Sequence, residues 1–192
     1  MSNSSEKSNL DSKLLKKFNE LFNALDDYHI KNWNRSVPFG DNFVNRWDRA
    51  VKLGFGENSN LYSNSLIIGD INVGNEVWIG PNTILDGSGG LTIGDYCTIA
   101  AGVGIYSHDN VRSTLSSKKS PIEREPVEIK NNTYIGPNSI ISKGVTIGKF
   151  SIVGVNSYVN KSFPDYSIIA GNPAKQIGEV EINELEIQFK YI

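Results

Sequence analysis

The chain has few groups suited to moving a proton near neutral pH; its histidines are His29 and His108. An imidazole exchanges a proton in that range, which equips it for general-base work. His29 falls at the end of a helical pattern, the ordinary place of a surface or C-terminal helix residue. His108 stands in IYSHDN, three residues past the aliphatic Ile105, where a regular pattern gives way to an irregular segment. The spacing puts it at the edge of an ordered structure beside a loop. That loop carries Arg112, Lys118, Lys119 and Arg124, which either meet phosphates or form a solvated basic surface. No Ser or Cys sits in a recognisable activated-nucleophile motif. The lone Cys97 excludes an internal disulfide framework and a cysteine-rich zinc site, and two histidines are too few for a three-histidine zinc centre. No metal is expected.

The elements that position these groups come from a six-residue period. Every sixth residue reads Leu61, Ile67, Val73, Ile79 and Leu85; after a two-residue insertion the register resumes at Ile93, Ile99 and Ile105. A second block reads Ile129, Ile135, Ile141, Ile147, Val153 and Val159. A chance run of this kind is on the order of one in 10^8 before choice of frame. Glycine often follows the aliphatic (Gly74, Gly80, Gly94, Gly136, Gly148, Gly154), as expected where a strand turns with permissive backbone angles. Four places after each aliphatic come small or branched residues such as Ser65, Thr83, Cys97, Thr133 and Ser151, able to stack on their own copies inside a narrow coil. Cys97 is thus mainly a packing residue.

Six residues make one short strand and one turn, and three units close a triangular coil whose stacked copies pair as parallel strands about 4.8 Å apart. The fold class is mainly β: a triangular prism of hexapeptide coils over residues 59–178. Periodicity leaves its hand open. Residues 1–9 read as a disordered tail. Residues 10–58 read as a helical cap, with one helix from Asp11 as N-cap through Leu14, Leu15, Phe18, Leu21, Phe22 and Leu25, and another from near Asp41 with Phe43, Val44, Trp47 and Val51. The cap is expected to lid the first coil rather than form a separate substrate domain. Val111 to Glu128 spans one coil's worth, yet Ser117 and Glu123 fall where aliphatics are needed, so a loop extruded over about 109–128 is expected. Residues 179–192 read as a strand or tail, with Leu185, Ile187, Phe189 and Tyr191 alternating as in a half-buried strand.

The 192 residues carry a formal charge of -2, which argues against nucleic acid or an anionic membrane surface as main partner. No signal-peptide core and no apolar run long enough to span a bilayer is found, so a cytoplasmic protein is expected.

The hexapeptide blocks, the SHD element before a loop, the run from Val127 to Ile177 and its AGNPAK ending (Ala170 to Lys175) together resemble the hexapeptide-repeat acetyltransferases, over about residues 60 to 178. The likeness is to the subgroup of maltose, galactoside and polysaccharide O-acetyltransferases. It implies a left-handed parallel β-helix, acetyl-CoA as co-substrate, direct transfer without an acyl-enzyme, and a homotrimer with active sites between subunits. It implies that His108 is the general base. It maps acceptor contacts onto Asn82 and, less directly, Asp86 in LDGSGG; the competing role for Asn82 is a polar turn ladder. It maps coenzyme A contacts onto Pro137, Val155, Asn160, Lys161 and Lys175. Here VGVNSYVNK (Val153 to Lys161) departs from the family's usual GAGSVVTK, so a threonine contact falls to Asn160. O-acetylation of a sugar or polysaccharide-precursor hydroxyl is the leading expectation, followed by N-acetylation of an amino sugar or aminated drug, and then by a non-catalytic assembly role.

Overall fold

The computed structural model describes residues 4–184 and 186–192, with side chains from residue 11 onward. The first three residues of the expected tail, and Leu185, lie outside the described residues. The chain divides into two compact units, one ending at Asn45 and the other running Arg46–Ile192.

In the first unit α1 (Ser4–Trp33) starts ahead of Asp11, so Asp11 lies within the helix rather than capping it, and the expected tail is helical from Ser4. Phe18 and Phe22 pack on Phe39 with ring centroids 5.8 and 5.4 Å apart. In the second unit α2 (Arg46–Lys52) begins later than the expected start near Asp41. It buries Arg46 and Ala50, one turn apart, and leaves Trp47 and Val51 exposed. The reason is what the helix covers: Ala50 and Phe55 join the same buried cluster as Leu61 of the first coil, and the Arg46 guanidinium sits 4.2 Å over the Tyr62 ring.

From Asn60 the chain winds a left-handed parallel β-helix of about 6 turns. Its first face stacks Leu61, Ile79, Ile99, Ile135, Val153 and Ile169 in register. The second stacks Ile67, Leu85, Ile105, Ile141 and Val159, and the third Val73, Ile93, Ile129 and Ile147. These aliphatics fill the interior; most are wholly inaccessible. Ile141→Ala should therefore cost about 2–5 kcal/mol, read by denaturant unfolding, because a rigid stacked coil collapses poorly around a deleted side chain. A loss under about 1 kcal/mol would contradict the packed-prism description.

One expectation about the corners is corrected. Left-handed residues lie three places before most of the aliphatics, on Asn58, Glu76, Asn82, Tyr96, Asn132, Asn138, Phe150, Asn156 and Tyr166 and on Gly90, Gly102 and Gly144, and not on the glycines that follow the aliphatics. Those glycines answer a different need. A Cβ on Gly136 would stand 2.7 Å from the Val153 carbonyl oxygen of the next coil, and one on Gly80 would stand 2.8 Å from the Ala101 nitrogen. Close approach of stacked coils, not backbone freedom, selects glycine there.

The loop is extruded as expected. Ile93 pairs directly with Ile129, and Ile105 with Ile141, so the coils stack in register as though the loop of about 109–128 were absent. The solenoid ends at AGNPAK, where strand Ser167–Gly171 turns back into the antiparallel strand Ala174–Asn183, which pairs with Glu186–Tyr191. The last strand is exposed along its described length, not half-buried; it is the outermost strand of its sheet, paired along one edge with Ala174–Asn183.

Candidate active site

His108 emerges at the corner between the second and third faces. With Asp109 it forms one strand of a two-stranded antiparallel stalk, paired to Glu123–Arg124, and α3 (Val111–Leu115) lies beyond the stalk. The ring's Nδ1 is 2.5 Å from Asp86 Oδ2, one coil below. Asp86 is 1 % exposed, while the His108 side chain is 34 % exposed. A buried carboxylate on Nδ1 fixes the tautomer that leaves Nε2 as the proton acceptor.

Asp86 is held from several directions. Its Oδ1 accepts from the Ser88 hydroxyl at 2.5 Å and the Ser88 N–H at 3.0 Å, and its Oδ2 accepts from the Ser107 N–H at 3.0 Å. Burial acts to raise the carboxyl pKa, but hydrogen bonds from the Ser88 hydroxyl, His108 and the Ser88 and Ser107 N–H groups outweigh it and bring the value down to about 2. The carboxylate is thus ionised wherever the protein works. Both carboxylate oxygens are thus engaged within the chain, by Ser88 on one side and by Ser107 and the His108 ring on the other.

Sequence reasoning missed Ser88, Ser107 and Gly89, whose N–H donates to the Ser107 hydroxyl at 2.8 Å. A signal was present. The two-residue insertion between Leu85 and Ile93 falls at the same corner as the loop between Ile105 and Ile129. In the structure that insertion is a bulge at Ser88–Gly90, at the His108 corner, and its Ser88 supplies both donors to Asp86 Oδ1.

The other candidates divide between two corners. Asn82 lies at the preceding corner, separated from His108 by one flat face, and its amide oxygen accepts from Asn64 at 2.7 Å as part of an exposed turn ladder. Pro137 and Val155 stack on that corner too, the Asn156 N–H donating to the Pro137 carbonyl at 3.0 Å. Lys175 pairs with Ala170 at its upper end. Asn160 and Lys161 instead follow Val159 onto the His108 corner, with the Lys161 ammonium 5.5 Å over the Phe163 ring. Within one chain the structure does not bring the two sets together. Of the loop cations, Arg112 pairs with Glu123 at 2.8 Å, while Lys118, Lys119 and Arg124 are exposed. Cys97 is buried, and burial pushes its thiol up to about 11, which suits packing and not nucleophilic attack. His29 packs its ring against Trp33 in α1. Among the described residues no cluster of metal-ligating side chains occurs, and no helix is long and apolar enough to cross a membrane.

Two repeat models match the solenoid: the bacterial transferase hexapeptide over residues 126–161, and the hexapeptide repeat of succinyl-transferase over residues 66–107. Galactoside O-acetyltransferase of Escherichia coli is 34% identical over 110 residues, 52% of this chain and 53% of that protein. Protein CapG of Staphylococcus aureus is 43% identical over 98 residues, 50% of this chain and 57% of that protein. The chain thus spans little more than half the length of these relatives. A hexapeptide-repeat containing acetyltransferase from Vibrio cholerae shares the fold, with a TM-score of 0.59 at 21% identity over 85% of this chain and 92% of that one. A variant of AntD, an N-acyltransferase from Bacillus cereus solved with dTDP-4-amino-4,6-dideoxyglucose and coenzyme A, is 26% identical with a TM-score of 0.51, over 68% of this chain and 87% of that one.

Proposed function

We propose that this hexapeptide-repeat protein is an acetyl-CoA-dependent acyltransferase that acetylates a sugar or polysaccharide-precursor hydroxyl, with His108 as general base. The observation that carries the reading is the His108–Asp86 pair at the one corner where the repeat is interrupted twice. With Asp86 on Nδ1, the His108 Nε2 takes the hydroxyl proton as the acceptor oxygen bonds to the thioester carbonyl carbon, and returns that proton to the departing sulfur. No covalent enzyme intermediate is required, in keeping with the buried, unactivated Cys97.

The residues available to coenzyme A fit its chemistry: Lys161 and Lys175 offer cations to phosphates, and Pro137 and Val155 present an apolar edge to the pantetheine arm. That these fall on two corners supports a homotrimer, in which the His108 corner of one subunit faces the Pro137–Val155–Lys175 corner of the next. Acetyl-CoA is a cytoplasmic metabolite, and the protein is proposed to act there. A second reading, N-acylation of an amino sugar, is favoured by the likeness to the AntD structure, which holds an amino-deoxysugar nucleotide. The same base serves both, since either acceptor loses one proton.

Titration calorimetry with acetyl-CoA, followed by a screen of hydroxyl sugars against amino sugars for release of free coenzyme A, separates the readings. Micromolar binding and turnover with hydroxyl sugars is the expected result. Turnover with amines alone would establish the second reading, and absence of acetyl-CoA binding would favour a non-catalytic assembly role.

A further inference from the structure

Lys143 stands two residues after Ile141, as Ser107 stands two after Ile105, and these strands are paired in register. Stacking therefore brings Lys143 to the His108 corner, one coil further on. Its ammonium lies 2.7 Å from Glu125 Oε1, 3.0 Å from Glu123 Oε2 and 3.5 Å from Asp109 Oδ2, and its side chain is 17 % exposed. Asp109 directly follows His108, and Glu123 is paired with Asp109 across the stalk. The Glu125 N–H donates to the Ser107 carbonyl at 2.9 Å. Carboxylates from both strands of the stalk thus converge on a cation rooted in the prism. Hydrogen bonds that Lys143 donates to Glu125 and Glu123 hold it well above the usual lysine range, so its charge persists through the working range.

An isolated surface ion pair contributes little, because solvent screens it and two long side chains must be ordered. Lys143 is different in geometry: it is mostly enclosed, and taking it away would leave Glu123 with Arg112 alone and take from Asp109 and Glu125 the cation they share with it. The stalk is otherwise a two-residue ladder, too short to hold itself. The ring of His108 depends on that ladder for its backbone and on Asp86 for its orientation.

We infer that Lys143 is a positioning residue for His108, locking the stalk that carries the base onto the next coil of the prism. The inference rests on the acyltransferase reading for its catalytic consequence, while the lock itself is a property of the structure. Lys143 touches no reacting atom; it acts through the stalk.

Lys143→Met and Lys143→Arg test it. The Met variant should lower kcat about tenfold with KM for acetyl-CoA changed by less than about twofold, since a small misplacement of a base penalises the chemical step and not donor binding. Its folded form should be cut by trypsin at Arg112, Lys118, Lys119 or Arg124 about tenfold faster than wild type, as expected of a freed loop. The Arg variant, which keeps the charge, should recover most of both. Should the Met variant fail to fold, Lys143→Gln takes its place. Wild-type kcat in the Met or Gln variant would overturn the positioning role, and an unchanged cleavage rate would overturn the lock. A wild-type protein that transfers no acetyl group would sink the functional reading alone, the cleavage comparison still deciding the lock.

Discussion

His108→Ala is expected to lower acetyl transfer by about a hundredfold or more at saturating substrates, with acetyl-CoA affinity within about twofold of wild type. The magnitude follows from the role: without an acceptor for its proton, a neutral hydroxyl is a poor nucleophile, and water at the vacated position is a weak, unpositioned base. The donor contacts proposed at Pro137, Val155 and Lys175 lie on another corner, and Lys161 on the His108 corner is seated over Phe163, so removing the imidazole should leave donor binding in place while it slows the chemistry. Because the side chain is a third exposed and projects from a corner, the variant should fold. Its thermal midpoint provides that control, and steady-state kinetics with calorimetry the measurement. Undiminished turnover in a folded variant would remove His108 from the mechanism.

Asp86→Asn should lower kcat by about ten- to a hundredfold while leaving KM for acetyl-CoA nearly unchanged. The carboxylate accepts from His108, Ser88 and Ser107 together, and an amide of the same shape presents only one accepting atom. The amide's own N–H groups then face donors, and the tautomer of His108 with its proton on Nδ1 is no longer favoured. A pH series adds a readout independent of catalysis. The folded state holds Asp86 at about 2 against an ordinary 3.8, so the folded protein favours the ionised form. That stabilisation, on the order of 2 kcal/mol, is fully present above about pH 4 and is lost as pH falls through about 2. Urea unfolding between pH 4 and pH 2 should show wild type losing stability that Asp86→Asn does not lose. Parallel losses in both proteins would mean that Asp86 is not held as described. The comparison also isolates Asp86 from other carboxylates, which titrate alike in the two proteins.

Much of the fold was legible because its physics is local and repeated. An aliphatic every sixth residue must be buried, and a six-residue unit has room for one strand and one corner, so stacked coils follow from Leu61 through Val159 without knowledge of any contact. The failure of the pattern at Ser117 and Glu123 likewise identified an extruded loop, since a coil with polar residues at interior places could not pack. Local reading did less well where packing decides the outcome. Glycine after the aliphatic reads equally as a flexible turn or as a close approach, and the neighbouring coil's backbone settles it. The start of α2 at Arg46 depends on which residues meet the first coil, and the exposure of Ile187, Phe189 and Tyr191 on the strand's place at the outer edge of its sheet, neither of which is written in a pattern of alternation.

The candidate site divides in the same way. His108 could be singled out from its type and its place at the end of the ladder, and Cys97 set aside as a packing residue, because both inferences need only the chain's own periodicity. The partners of His108 could not. Asp86 and Ser88 are about twenty residues before it and Lys143 is thirty-five after it in the sequence, and only the register of stacked coils, which carries Leu85 under Ile105 and Ile105 under Ile141, brings them to one corner. The sequence by itself determined a stacked, aliphatic-filled prism, its interruption and the residue able to take a proton. Tertiary structure decided which buried carboxylate orients that residue and which cation anchors its stalk, because those contacts depend on how coils stack across a loop that the prism closes over.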